Sequence, residues 1–124
     1  MEKTIPHDHD LTIESFITKI PKADDFKKIA AVFKQLEDPT RLRIFWILCH
    51  REECVTNIGY IMNMSNPAVS HHLRLLKASD LIVSERKGKE VYYKGADTPL
   101  VHQLHDVMED VLRITCPFGN EHIL

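Results

Sequence analysis

The chain is poor in several residue types and patterns, and each shortage narrows what it can be. Only three of its 124 residues are cysteine, Cys49, Cys54 and Cys116. An odd and sparse set does not make a disulfide framework and suits a reducing compartment. The longest apolar stretch, Ile44–Cys49, falls far short of the roughly 20 residues a membrane-spanning helix needs. The opening MEKTIPHDHD has no apolar core of the kind a secretory leader carries, so a cytoplasmic chain with no membrane partner is expected. With four glycines there is no phosphate-cradling glycine-rich loop. No nucleophile constellation is recognisable either, since Cys54 and His50 are only neighbours along the chain, and an enzyme is not expected. Repeats and low-complexity tracts are absent.

What remains is an ordinary globular composition, 44% apolar and 27% charged, long enough for one core. The net charge of −2 is unevenly spread. Residues 65–94 hold six Lys/Arg against three Asp/Glu, a local +3, whereas residues 95–124 hold one against five, a local −4. An acidic C-terminal helix can therefore coexist with a basic surface, because binding follows the local field.

Residues 1–10 show no apolar periodicity and are expected to form a flexible arm; residues 11–124 are expected to form a single domain. Asp10 is placed to cap a short helix bearing Ile13, Phe16, Ile17 and Ile20, which Pro21 ends. Residues 22–36 repeat the helical pattern with Phe26, Ile29, Ala30 and Phe33. Asp38 before Pro39 signals another helix start. The helix that follows is apolar nearly all round (Leu42, Ile44, Phe45, Trp46, Ile47, Leu48), which predicts the central buried helix.

Thr56 is the expected cap of a short helix carrying Ile58, Ile61 and Met62. After an Asn63–Met64–Ser65 turn, Ser65 and Pro67 begin a helix with Val69, Leu73 and Leu76 facing inward. Two β-rich runs, 81–86 and 89–94, meet at Lys87–Gly88 in a hairpin. Asp97, Thr98 and Pro99 open a last helix, 97–115, with an apolar stripe of Leu100, Leu104, Met108, Val111 and Leu112. The order is that of a mostly α winged helix-turn-helix with a small β-hairpin, its DNA-reading core at 38–94. Apolar stripes on the terminal helices predict a homodimer joined through them, which suits a palindromic operator in double-stranded DNA.

A recognition helix offers short polar and basic side chains to base edges. Ser65, Asn66, Ala68, Ser70, His71 and Arg74 are the candidates here, with Arg86, Lys87 and Lys89 of the wing set for phosphate or the minor groove. The segments LEDPTRLRIFWIL (36–48), ECVTNI (53–58), SNPAVSHHLRLLKASDLI (65–82) and RKGKEVYYK (86–94) together resemble the ArsR/SmtB family of metal- or thiol-sensing bacterial repressors. The resemblance covers roughly two thirds of the chain. It implies a homodimer that represses its operator until an inducer weakens DNA binding. Asp80 stands where that family usually has a helix-ending Gly, and Asp tolerates the left-handed conformation at some cost.

The resemblance implies three places for an inducer. In one, Cys54 matches a family cysteine, and His7 and His9 of the arm, with Asp8 and Asp10, complete a sphere of the kind zinc accepts. Thr56 and Asn57 replace further ligands of some heavy-metal sensors, which disfavours a thiolate-rich site; Cys54 as a small packed residue is the plain alternative. In the second, the last helix, Asp97 matches a zinc ligand, but Pro99 and Arg113 stand where ligands are needed. Asp97 then reads as a helix cap. His102 and His105, with Asp106 and Glu109 each four residues beyond one of them, offer a shifted divalent-metal site, or simply a polar helix face. In the third, Cys49 and Cys116 are redox candidates for persulfide or oxidant sensing, although Trp46 occupies the place of the family's first thiol. The sequence thus predicts a repressor responsive to an inducer, with zinc or another divalent transition metal foremost. A thiol-sensing repressor and a winged-helix protein-interaction module without DNA binding are the alternatives.

Overall fold

A computed structural model of the chain describes residues 12–115. The backbone divides into two compact units between Ala30 and Ala31. In the first, helix α1 (Ile13–Ile17) begins at Thr12, whose side chain makes no cap hydrogen bond. Asp10, the expected cap, lies outside the described residues. The helix stops short of Ile20, where the Thr18 hydroxyl donates to the Ser15 carbonyl at 2.7 Å. Helix α2 (Ala23–Leu36), whose residues 31–36 belong to the second unit, carries Asp24 and Asp25 in its first turn, the favourable end of the helix dipole for carboxylates.

In the second unit, α3 (Pro39–His50) starts as its sequence dictates. The Asp38 carboxylate accepts from the Arg41 amide at 3.0 Å, and Pro39 occupies the first turn. That amide hydrogen bond holds the Asp38 carboxyl below the usual range. Ile44, Phe45, Ile47 and Leu48 are buried. Leu42, Trp46 and Cys49 are only half-buried, so the apolar girth of the helix does not mean burial all round.

A third strand, unforeseen in the sequence, follows. Strand β1 (Glu53–Cys54) is only two residues long and carries no alternation. Helix α4 (Val55–Met62) grows directly from it, so Cys54 holds the cap position and Thr56 lies inside the first turn. Asn63 ends α4 in the left-handed conformation (φ 55°). A Cβ on Gly59 would lie 2.8 Å from the Met64 carbonyl oxygen, so the turn closes over a residue that has to be small. Helix α5 (Asn66–Ala78) is capped by Ser65, whose hydroxyl accepts from the Ala68 amide at 3.3 Å. Asp80 adopts φ 59°, and the Leu81 amide reaches back to the Leu76 carbonyl at 3.1 Å. The helix therefore ends as it would with glycine.

Strands β2 (Ile82–Lys87) and β3 (Glu90–Gly95) pair with Lys87 opposite Glu90. The turn is thus Gly88–Lys89, with Gly88 at φ 65°, one residue later than the sequence suggested. Leu81 does not enter the strand because it closes α5. The sheet order is β1-β3-β2, all antiparallel. Helix α6 (Pro99–Thr115) is capped by Thr98, whose hydroxyl accepts from the Val101 amide at 3.2 Å; Asp97 does not perform that role. Its innermost residue is Val101, with Leu104 and Met108 of the expected stripe packed against the core, while Leu100 and Val111 are 45% and 51% exposed. Ile44, Phe45, Leu48, Ile58, Val69, Leu73, Leu76 and Ile82 join Val101 in the core that holds α5 and the hairpin.

Candidate nucleic-acid interface and histidine cluster

Burial of Val69, Leu73 and Leu76 fixes which side of α5 is left to solvent. Ser65, Asn66, Ser70, His71 and Arg74 are all exposed there, and Ala68 is half-buried beside them. Arg74 approaches His71 Nδ1 at 3.4 Å, so the two side chains share one surface. The opposite flank is pinned from below. His72 sits against the buried guanidinium of Arg41, 3.3 Å away. Burial lowers the His72 pKa, with Arg41 and His71 acting in the same sense and Asp38 opposing. A neutral imidazole can accept that hydrogen bond.

The wing is not uniformly free. Lys87 is bonded to Glu52 and lies 5.4 Å from the centre of the Tyr92 ring. The Glu52 hydrogen bond raises the Lys87 pKa, and part of its charge is already answered within the protomer. Arg86 is exposed and bonds the Gly88 carbonyl at 3.3 Å; Lys89 is exposed in the turn. Lys77, absent from the expected set, reaches Ser84 at 2.6 Å and ties α5 to β2.

The three expected sensing regions fare differently. Cys54 is buried at the β1–α4 junction, where it pairs across to Tyr92; His7, His9 and Cys116 lie outside the described residues. Neighbouring Glu53 is buried and satisfied by Arg51 at 2.7 Å and Asn57 at 2.9 Å. Cys49 is a poor redox candidate. Burial, reinforced by the Glu109 carboxylate, pushes its thiol up to about 12, leaving it protonated near neutrality. His102 and His105 take separate partners. His102 Nε2 lies 2.7 Å from Asp97, at the exposed start of α6. His105 Nε2 instead lies 2.9 Å from His50 Nε2 and 3.0 Å from Glu109, and His50 lies 3.2 Å from the same carboxylate oxygen. Among the described residues this is the only group of three or more His, Cys, Asp or Glu that converges on one point. His50 closes it from α3, and the spacing along α6 gives no hint of that.

Beside this cluster, α2, α3 and α6 enclose an apolar groove lined by Phe33, Leu36, Leu42, Trp46, Leu104 and Met108, with Val107 and Val111 at its edge. Phe33 and Val107 are 61% and 57% exposed. The Trp46 indole N–H is buried with no acceptor among the described residues.

Residues 38–84 match the profile of the bacterial regulatory protein, arsR family. Over 91 residues the chain is 34% identical to a transcriptional repressor SmtB homolog of Synechocystis sp., covering 73% of this chain and 69% of that protein. It is 42% identical over 70 residues to a cadmium resistance transcriptional regulatory protein, a CadC homolog, of Staphylococcus aureus, covering 56% of this chain and 58% of that one. Among solved structures, a homodimeric winged helix-turn-helix DNA-binding domain from Mycobacterium bovis matches with a TM-score of 0.69 and 27% identity, over 82% of this chain and 94% of that one.

Proposed function

From the premise that the chain belongs to the ArsR/SmtB family of DNA-binding bacterial regulators, we propose that it acts as a homodimeric, cytoplasmic repressor whose hold on a palindromic operator is set by a divalent transition metal. The observation that carries the DNA-reading part is α5 itself: a helix capped at Ser65, rigid on its inner side, with Asn66, Ser70, His71 and Arg74 exposed together. Such a helix suits the major groove, where Arg and Asn read base edges bidentately. Arg86 and Lys89 follow on the hairpin, placed to hold phosphate and fix the register.

The second protomer is proposed to seat on the α2–α3–α6 groove. Contiguous apolar surface edged by exposed Phe33 and Val107 is what a self-complementary interface would cover. A homodimeric relative supports this arrangement. Metal response is supported by the cadmium-resistance relative and by the histidine cluster within this chain. Coupling between inducer and operator of about 1–3 kcal/mol would suffice for regulation. The thiol-sensing alternative is weakened by the protonated Cys49.

The test is DNase footprinting of the region upstream of the encoding gene, with and without zinc. Protection over two half-sites one helical turn apart, lifted by zinc, is the expected outcome. No protected region beyond that of random duplex would overturn the proposal and favour a protein-interaction module.

A further inference from the structure

We propose that His50, His105 and Glu109 form a binding site for a zinc-like divalent cation within one protomer, between the end of α3 and the middle of α6; its regulatory meaning rests on the metal-responsive reading above. The three donor atoms lie within 4.8 Å of one another, with contacts of 2.9, 3.0 and 3.2 Å. Their side chains are 20%, 29% and 20% exposed, so the cluster is shielded yet reachable from solvent. Two imidazoles and one carboxylate suit zinc, cobalt or nickel rather than calcium or magnesium, which prefer oxygen. Ligands on a tetrahedral zinc at about 2.05 Å stand roughly 3.3 Å apart, so only a small opening of the cluster is required.

Hydrogen bonding within the cluster points to a cation. His50 Nδ1 lies 2.7 Å from the Trp46 carbonyl oxygen, which can only accept, so Nδ1 carries the hydrogen. In the neutral ring Nε2 then presents a lone pair to both His105 and Glu109. A hydrogen on His105 Nε2 would serve its contacts to His50 and Glu109, but the contact between His50 Nε2 and the Glu109 carboxylate is left lone pair against lone pair. A second hydrogen on His50 or a divalent cation at the centre answers that clash, and only the cation engages all three donors at once. The Trp46 carbonyl also supplies the outer hydrogen bond that metal-ligating histidines almost always make, fixing tautomer and ring orientation. His102 does not compete, being held by Asp97.

Placement gives the site leverage. Leu104 and Met108, one residue before His105 and Glu109, line the groove proposed for the second protomer. His50 ends the helix that leads into β1 and the wing sheet. Ligation would lock the dimerising helix to the support of the reading head.

The test is titration of the full chain with Co²⁺, followed by visible absorption, together with zinc equilibrium dialysis. One ion per protomer is expected, with d–d bands and no thiolate charge-transfer band. Affinity should fall at least tenfold in His105→Gln, in Glu109→Gln and in His50→Ala, with thermal melts of each variant confirming that it is folded. It should hold in Cys54→Ser and His102→Ala. Undiminished binding in His105→Gln, a charge-transfer band lost with Cys54→Ser, or no bound cobalt at all would each overturn the site. Operator anisotropy on the same samples separates the two claims. An operator response to zinc and a cobalt affinity that both survive His105→Gln sink this site and leave the repressor reading. Binding at the cluster with an indifferent operator keeps the site and sinks the metal-responsive reading.

Discussion

A guanidinium nitrogen of Arg41 lies 3.3 Å from Nδ1 of His72, joining the first turn of the central helix to the inner flank of α5. Arg41 is only 9% exposed, and its Nε donates to the Gln35 carbonyl at 2.6 Å. One buried cation therefore ties α2, α3 and α5 together, and its arrangement needs His72 as an acceptor.

This pairing sets a pH dependence. The folded-state pKa of His72 lies below the ordinary 6.5, burial being the first cause and Arg41 adding to it. The unfolded chain thus takes up the proton first as pH falls, so stability is present above about pH 6.5 and is lost below it. Thermal melts should be flat from pH 7 to 8 and decline through pH 6 and 5. His72→Asn should flatten that decline; an unchanged slope would show that another group is responsible.

On the recognition helix, Ser70→Ala with Arg74→Ala should reduce preference for the operator over random duplex, each base contact being worth about 1–3 kcal/mol. Neither side chain enters the core, so melts of the double variant should match the parent's. Competition binding measures the ratio directly.

The wing lysines should not behave alike. Lys89→Ala should weaken binding to any duplex and lower the salt slope by about 0.9 per lost phosphate contact. Lys87→Ala should change it less, because Glu52 already answers that charge. Glu52→Gln should strengthen DNA binding by releasing Lys87. Equal slopes for both lysine variants would contradict the ion pair's role.

Cys49 should resist alkylation at pH 7–8 in the folded protein, since its thiol ionises only at about 12, and should label readily once denatured. Mass spectrometry after iodoacetamide treatment decides this. Rapid native labelling would restore the thiol-sensing alternative.

Val107→Glu should convert the proposed dimer to monomer in sedimentation, because Val107 is exposed at the edge of the apolar groove. Operator affinity should fall with it, as half-sites are then bound singly.

Much of this was legible along the chain where local chemistry decides the structure. Asp38–Pro39 and Ser65–Pro67 start helices through short-range caps, and Asp80 ends one by its own conformation. What escaped was non-local. Strand β1 exists because Glu53 and Cys54 meet Tyr93 and Tyr92, and two residues carry no periodicity. The burial of Arg41 depends on His72, far along the chain, and no local pattern announces that contact. On α6, the three-residue spacing suggested joining His102 with His105, whereas tertiary packing gives His105 to His50 and leaves His102 to Asp97. A shared helical face was a poor guide there, because a residue from α3 completed the group.

Fluorescence anisotropy with a labelled duplex from upstream of the encoding gene, competed by unlabelled operator and by scrambled duplex at fixed salt, tests the central claim most directly. The expected result is operator binding at least a thousandfold tighter than scrambled, reduced towards parity by the paired Ser70 and Arg74 substitutions. Equal competition by the two duplexes, or specificity untouched by those substitutions, would contradict the assignment of α5 as the element that reads DNA.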